Sequence, residues 1–141
     1  MRTINYLVVH CTATNRNATV TAIQNYWEHQ LGWSMPGYHY IILADGTLVN
    51  LLPIDQVSNG VKGFNSQSIN VSYIGGVDAN NKPRDTRTAA QKATLIKLLQ
   101  ELKNKFPKAI IQGHRDFPNV KKACPSFDAK TEYQNIKQQK S

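Results

Sequence analysis

Two histidines and one cysteine carry the side chains best suited to catalysis in this chain. His10 follows an apolar run at 6–9 and His114 follows a β-branched segment at 110–113, so both imidazoles are expected at strand ends, where α/β folds place their sites. Cys124 comes ten residues after His114. Two imidazoles and one thiolate would leave the fourth position of a tetrahedral zinc ion open, and zinc lowers the pKa of bound water to about 7. The residue types are therefore compatible with a catalytic zinc centre.

The spacing of these three residues leaves two other interpretations open, because it matches neither an HExxH motif nor a pair of CxxC motifs. Cys124 could be the nucleophile of a cysteine protease, with His114 or His10 as its base. Lys121 and Lys122 would then lower the pKa of the neighbouring thiol. Alternatively, His10 is a hydrogen-bonded histidine at a strand end and Cys124 is a small buried hydrophobic residue.

The net charge indicates possible partners, and the cysteine count limits the number of disulfides. The chain has 141 residues, and 17 Lys and Arg against 9 Asp and Glu give a net charge of +8. Nine of those basic residues and three of the acidic ones lie at 102–141, which indicates either a solvated basic face or an anionic partner such as nucleic acid, lipid or an acidic polymer. Cys11 and Cys124 are too few for a disulfide framework.

The length and hydropathy pattern exclude some classes. A chain of this length fits one domain that can bury a core without disulfides. No apolar run approaches the roughly 18 residues that a membrane span needs, so no membrane insertion is expected. The apolar stretch near the N-terminus is too short for a signal peptide, and the fold is expected to start near residue 1.

The elements that must position the three residues alternate between strands and helices. Hydrophobic patterning predicts strands at 4–11, 38–43, 48–52, 68–74 and 109–112, and helices at about 19–31, 88–106 and 128–138. Asp45 and Gly46 predict a hairpin turn, and Thr88 with Gln91 predicts a capping box. The order predicts a single α/β domain with a central mixed β-sheet flanked by helices.

The first predicted helix has four apolar residues at helical spacing. Ile23, Tyr26, Trp27 and Leu31 are expected to share one face of the helix. Trp33, beyond the end of this helix, could line a groove.

Seven motifs recur, in this order, in one family of enzymes. They are VVHCTAT at 8–14, GYHYII at 37–42, DGT at 45–47, KGFN at 62–65 with SI at 68–69, GG at 75–76, GHRD at 113–116 and ACPSFD at 123–128. Through them the chain resembles, over about residues 4–130, the zinc N-acetylmuramoyl-L-alanine amidases of the bacteriophage T7 lysozyme type, which are relatives of the peptidoglycan recognition proteins. The resemblance implies a mixed sheet flanked by helices and hydrolysis of the amide between N-acetylmuramic acid and L-alanine of peptidoglycan.

The resemblance also implies roles for individual residues. His10, His114 and Cys124 match the family's three ligands of zinc (Zn2+). Tyr38 matches the tyrosine of the GYH motif, beside the metal-bound water, and Lys122 matches the lysine that stabilises the oxyanion.

Other positions give weaker indications. Ser72 stands where some relatives carry a glutamate general base, so the chain resembles the tyrosine and lysine branch of the family. Since side chains alternate along a strand, His39 is expected to face away from Tyr38. Phe64 and Asn65 could border a substrate cleft.

The expected function is that of a phage or prophage endolysin, with peptidoglycan or muropeptides as substrate. The alternative is a module that binds peptidoglycan without cleaving it, although such relatives typically lack the cysteine ligand that Cys124 matches. We expect a monomer that binds no nucleic acid, with residues 1–141 forming one catalytic domain. It would act on the wall after release or export, or on imported muropeptides.

Overall fold

A five-stranded mixed sheet organises the chain, and the computed structural model describes residues 2–139. The strands are β1 (Tyr6–Cys11), β2 (Tyr40–Ile42), β3 (Leu48–Asn50), β4 (Ser68–Tyr73) and β5 (Ile110–Gly113), in the spatial order β3-β2-β4-β1-β5. The helices are α1 (Val20–Asn25), which continues as a π-helical turn at Tyr26–Gln30, α2 (Ala89–Lys105) and α3 (Ala129–Glu132). Short 3-10 turns lie at Asn65–Gln67 and His114–Asp116.

Four of the five strands run parallel, which explains the apolar sequence of β1. That strand pairs in parallel with β4 on one side and with β5 on the other, and β2 pairs in parallel with β4. Only β3 runs antiparallel, to β2, across the predicted Asp45-Gly46 turn. Parallel strands are covered on both faces, so their sequences are apolar with little alternation. The predicted fold, a single domain with a mixed sheet and flanking helices, is confirmed.

Helix α2 covers one face of the sheet. Its buried leucines are Leu95, Leu98, Leu99 and Leu102, which join a core that includes Leu7 and Val9 of β1. Each fully buried leucine stabilises the fold by about 1.5–3 kcal/mol. The predicted capping box between Thr88 and Gln91 is present at the start of the helix.

The opposite face of the sheet is partly polar. His10 of β1 and three side chains of β4, Ser68, Asn70 and Ser72, are almost fully buried there. Two apolar clusters flank this polar strip, one around Val8, Val61 and Phe117 and the other around Ile23, Trp27, Ile41 and Ile74. Buried polar groups must find hydrogen-bond partners, so this strip is the part of the interior with the most specific geometry.

The first helix departs from the expected pattern. Ile23 and Trp27 are buried, whereas Tyr26 is 54% exposed and Leu31 is 42% exposed. The helix widens to a π-helical turn at Tyr26, where the backbone N–H of Leu31 donates to the Tyr26 carbonyl across 3.2 Å. The wider turn shifts the angular spacing of the residues that follow Tyr26 from that of a regular α-helix.

The last helix is shorter than predicted, since α3 ends at Glu132 instead of near residue 138. Tyr133, just beyond it, is buried, and Ile136 packs against the main core. Across residues 2–139 no helix combines the length and the apolar character that crossing a membrane requires.

Candidate active site

The carboxyl-terminal edge of the sheet brings together the two histidines and the cysteine. His10 lies near the end of β1, and His114 directly follows β5, the parallel neighbour of β1. Cys124 reaches the same place from the loop after the 3-10 turn. One ligand atom from each of the three side chains lies within 4.8 Å of the others, and within residues 2–139 no second such group of potential metal ligands occurs.

Backbone contacts hold the Cys124 thiol at this edge. The backbone N–H of Cys11 donates to Cys124 Sγ across 3.1 Å, and the sulfur lies 3.9 Å from Nδ1 of His10. The Cys124 carbonyl in turn accepts a hydrogen bond of 2.9 Å from the backbone N–H of Arg115. Contact with the neighbouring Cys11 thiol, together with burial, raises the pKa of Cys124. Neither Cys11 nor Cys124 forms a disulfide.

Both imidazoles are neutral at pH 7. Burial and the neighbouring His114 lower the pKa of His10 to about 3. Burial and the charge of Lys122 lower the pKa of His114 to about 4. A metal binds only the unprotonated nitrogen of an imidazole, so the two side chains are in the state that a ligand requires.

Tyr38 lies beside His10, whereas His39 makes its hydrogen bonds with Asn70, Ser58 and Gln56. The Tyr38 ring lies 5.1 Å from that of His10, and its hydroxyl donates to the backbone carbonyl of Cys11 across 3.2 Å. Its ring also packs edge-on against Trp27. Burial raises the pKa of Tyr38, so the hydroxyl keeps its proton and remains a hydrogen-bond donor at neutral pH. His39 is fully buried, with Nε2 against the Gln56 carbonyl.

A cavity of about 660 Å³ opens over the three converging side chains. At one end its wall is formed by His10, His114, Lys122 and Cys124. At the other end it is formed by large apolar side chains, which include Tyr26, Trp27, Leu31 and Trp33. The exposed positions of Tyr26 and Leu31 are therefore in a cleft wall, and Trp33 lines a groove as predicted. A cleft with a polar, metal-ligating end and an apolar wall suits an amphipathic substrate.

Phe64 and Asn65, which the sequence placed beside the cleft, lie outside its wall. The Phe64 ring packs against Phe117 with 4.7 Å between centroids and against Tyr6 with 5.9 Å. The Asn65 side chain accepts a hydrogen bond of 2.6 Å from the backbone N–H of Val61. Both residues shape the loop before β4, so the expectation that they border this cleft is wrong.

Sequence reasoning missed one polar residue of the site. Asn70 is fully buried in the middle of β4, and its Oδ1 lies 2.7 Å from Nε2 of His10. The signal was present, since Ser68, Asn70 and Ser72 alternate with apolar residues and so mark a polar face of a buried strand. Which of them meets His10 depends on the register of β1 and β4.

Comparison with known families gives one match that spans most of the chain. The model of the family described as N-acetylmuramoyl-L-alanine amidase matches residues 1–127.

Individual relatives agree with this match. The endolysin of Enterobacteria phage K11 is 42% identical over 121 residues, which cover 85% of this chain and 79% of that protein. The endolysin of Escherichia phage T7 is 38% identical over 126 residues, which cover 88% of this chain and 82% of that protein. Among solved structures, the N-acetylmuramoyl-L-alanine amidase LysC from Clostridium intestinale URNW superposes with a TM-score of 0.76 at 28% identity, over 93% of this chain and 82% of that one.

Proposed function

The chain belongs to the N-acetylmuramoyl-L-alanine amidase family and is a peptidoglycan amidase, and we propose that it uses zinc to cut the bond between N-acetylmuramic acid and the L-alanine of the stem peptide. His10, His114 and Cys124 would hold the metal. The observation that carries the proposal is the convergence of two neutral imidazoles and a thiol at one end of a substrate-sized cavity.

The donor set and its spacing fit zinc. Two imidazoles and a cysteine are a known set of protein ligands for a catalytic zinc, and tetrahedral zinc holds a nitrogen and a sulfur ligand about 3.6 Å apart. Nδ1 of His10 and Sγ of Cys124 are separated by 3.9 Å. Bound there, zinc would polarise the scissile carbonyl as a Lewis acid and activate the attacking water.

Lys122 is proposed to stabilise the negative charge that develops on the carbonyl oxygen. Its side chain lines the cavity, and its positive charge is close enough to His114 to lower the pKa of that imidazole. A fixed ammonium facing a developing oxyanion acts mainly in the transition state, which is how charge stabilisation accelerates a reaction. Lys121, the next residue, is exposed and does not line the cavity.

Tyr38 is proposed to orient the attacking water and to assist its proton transfer. Its hydroxyl is held beside His10 by the Cys11 carbonyl, at the polar end of the cavity. Ser72, which stands where a glutamate base would be expected in another branch of the family, is fully buried and pairs in register with His10. A serine at this position cannot serve as a carboxylate base, so proton transfer is assigned to Tyr38.

The biological role proposed is that of a phage-type endolysin, which reaches the wall after release. Two relatives with about 40% identity are endolysins of phages, each matched over about four fifths of its length. The net charge of +8 would favour the encounter with anionic wall polymers.

Metal analysis combined with a muropeptide digest tests the proposal. Purified protein with quantified zinc is expected to contain about one zinc per chain and to release stem peptides that begin with L-alanine. Chelation should stop the release, and added zinc should restore it. Stoichiometric zinc without release of these peptides would contradict the proposed reaction, and full activity in metal-free protein would contradict the metal centre.

A further inference from the structure

A chain of buried hydrogen bonds links His10 of β1, through Asn70 of β4, to His39, which directly precedes β2. Nε2 of His10 lies 2.7 Å from Oδ1 of Asn70, and Nδ2 of Asn70 donates to Oγ of Ser58 across 2.7 Å. Ser58 Oγ lies 3.2 Å from Nδ1 of His39. All four side chains are almost completely shielded from solvent, so these groups depend on one another for partners.

Two backbone groups determine which nitrogen of His39 carries the proton. The backbone N–H of Asn70 can only donate, and it points at Nδ1 of His39 across 3.0 Å. That nitrogen is therefore the acceptor, and Nε2 carries the proton, which it donates to the Gln56 carbonyl across 2.7 Å. The Ser58 hydroxyl then accepts from the Asn70 amide and directs its own proton towards His39.

The contact between Ser58 and His39 favours the orientation in which the Asn70 amide turns its oxygen towards His10. If the amide were rotated by 180°, Ser58 would donate to Oδ1 and would turn a lone pair towards the lone pair of His39 Nδ1. With the observed orientation Oδ1 faces His10, and a carbonyl oxygen can only accept. Nε2 of His10 must therefore carry the proton, which leaves Nδ1 unprotonated and facing Sγ of Cys124.

The fold reserves space for this side chain. A β-carbon at position 60 would lie 2.2 to 2.5 Å from the terminal atoms of the Asn70 amide, so Gly60 is needed for Asn70 to reach His10.

We infer that Asn70 is a positioning residue for the metal centre: held by Ser58 and His39, it selects the tautomer of His10 whose Nδ1 is available to zinc. The role of the tautomer rests on the proposed zinc site, whereas the tautomer itself is a property of the metal-free protein. Partners that hold the far nitrogen of a ligating histidine typically contribute 10-fold to 100-fold in metal affinity.

The test measures the tautomer and the metal affinity separately. Two-bond 1H–15N correlation spectra of the metal-free, 15N-histidine-labelled protein at neutral pH report which ring nitrogen carries the proton, and the His10 signal is identified by its absence in His10→Gln. We expect a proton on Nε2 in the unsubstituted protein, a mixture of tautomers in Asn70→Ala, and retention of the Nε2 proton in Asn70→Asp, whose carboxylate still accepts. Zinc affinity, measured by competition with a chelator, should fall about 10-fold to 100-fold in Asn70→Ala.

Ser68→Ala is the matched control, since Ser68 is buried on the same strand and face but bonds to the Phe64 carbonyl and not to His10. It should change neither the His10 tautomer nor the zinc affinity. Should Asn70→Ala fail to fold, Ser58→Ala provides the second test, because it frees the amide to rotate and should also mix the tautomers. A proton on Nδ1 in the unsubstituted protein, or an unchanged tautomer in both variants, would overturn the inference. A chain that binds no zinc but shows the expected tautomers would instead refute the proposed metal centre alone.

Discussion

The imidazole rings of His10 and His114 lie 4.8 Å apart between centroids, at the ends of two adjacent parallel strands. The register of those strands explains the contact, since Val9 of β1 pairs with Gly113 of β5 and each histidine is the next residue. Hydrogen bonding between the strands therefore determines the distance between two of the three proposed ligands. The third, Cys124, is held by a backbone N–H of β1 itself, so all three depend on the position of that strand.

Removing the proposed sulfur ligand should remove both metal and activity. We expect Cys124→Ser to lose stoichiometric zinc and to lower the rate of peptide release about 1,000-fold or more, since metal catalysis contributes several kcal/mol to the transition state. Zinc content and muropeptide hydrolysis measure the two effects. Cys11→Ser is the matched control, because it removes the other thiol, whose side chain faces the α2 core. Equal loss of zinc in both variants would argue against a ligand role specific to Cys124.

Lys122→Ala should slow catalysis without releasing the metal. Loss of one group that stabilises an oxyanion typically lowers kcat about 100-fold to 1,000-fold. We expect KM and zinc content to change little, because the ammonium acts on charge that develops in the transition state. Lys121→Ala removes the same charge from the neighbouring exposed position and should leave kcat unchanged. Steady-state kinetics on a defined muropeptide distinguish the two variants, and similar effects in both would indicate only a general loss of surface charge.

Tyr38→Phe isolates the contribution of one hydroxyl. The ring should keep its packing against Trp27, while the hydrogen bond to the Cys11 carbonyl is lost, at a cost of about 1 kcal/mol in the free energy of unfolding. If the hydroxyl assists proton transfer, kcat should fall about 100-fold with zinc retained. Tyr40→Phe, on the opposite face of the sheet, is the control and should keep full activity. A Tyr38→Phe variant with the normal kcat would exclude this role.

Acid should destabilise the metal-free protein in part through His39. Burial, opposed by the hydrogen bond to the Gln56 carbonyl and assisted by the nearby charge of Arg2, lowers the pKa of His39 from 6.5 to about 4. The unfolded chain thus binds a proton that the folded chain excludes across this window. The stabilisation is complete above about pH 6.5 and is lost as the pH falls towards 4.

Urea unfolding at several pH values measures this effect. His39→Gln should reduce the pH dependence of the free energy of unfolding by the equivalent of one proton between pH 4 and 6.5, whatever its stability at pH 7. Because His39 is linked to His10 through Ser58 and Asn70, the substitution is also compared in the His10→Gln background, where the remaining difference in slope belongs to His39. Identical slopes would show that His39 takes up no extra proton on unfolding.

A buried arginine links the C-terminal segment to the loop before α2. Arg87 forms ion pairs with Asp85 at 2.8 Å and Glu132 at 2.6 Å, and its guanidinium lies 3.4 Å from the centre of the Phe127 ring. Arg87→Met should cost about 1–2 kcal/mol in the free energy of unfolding, because the buried guanidinium loses its hydrogen bond to Tyr133 and its ion pairs, while solvent still reaches both carboxylates. Thermal and urea unfolding measure the loss. Arg16→Met, which loses one exposed hydrogen bond to a backbone carbonyl, should cost much less.

Local patterning was sufficient for much of the fold. The alternation and apolar runs predicted both ends of each of the five strands to within two residues, and Thr88 with Gln91 marked the start of α2. These signals depend on a few neighbouring residues, which a sequence displays directly. The π-helical turn at Tyr26 was not predictable in this way, because a period of 3.6 residues gives no sign of where a helix widens.

The sequence by itself determined which side chains could form the site: two histidines at strand ends, a cysteine in the following loop and, through the family motifs, Tyr38 and Lys122. The tertiary structure decided how these groups meet and what supports them. The register of β1 against its two neighbours places His10 beside His114 on one side and level with Ser72 of β4 on the other, where the side chain of Asn70, two residues before Ser72, reaches His10. Tight packing of Gly60 against the Asn70 amide completes that contact. Register and close packing arise from residues far apart in the chain, so no local pattern of residue types could reveal them.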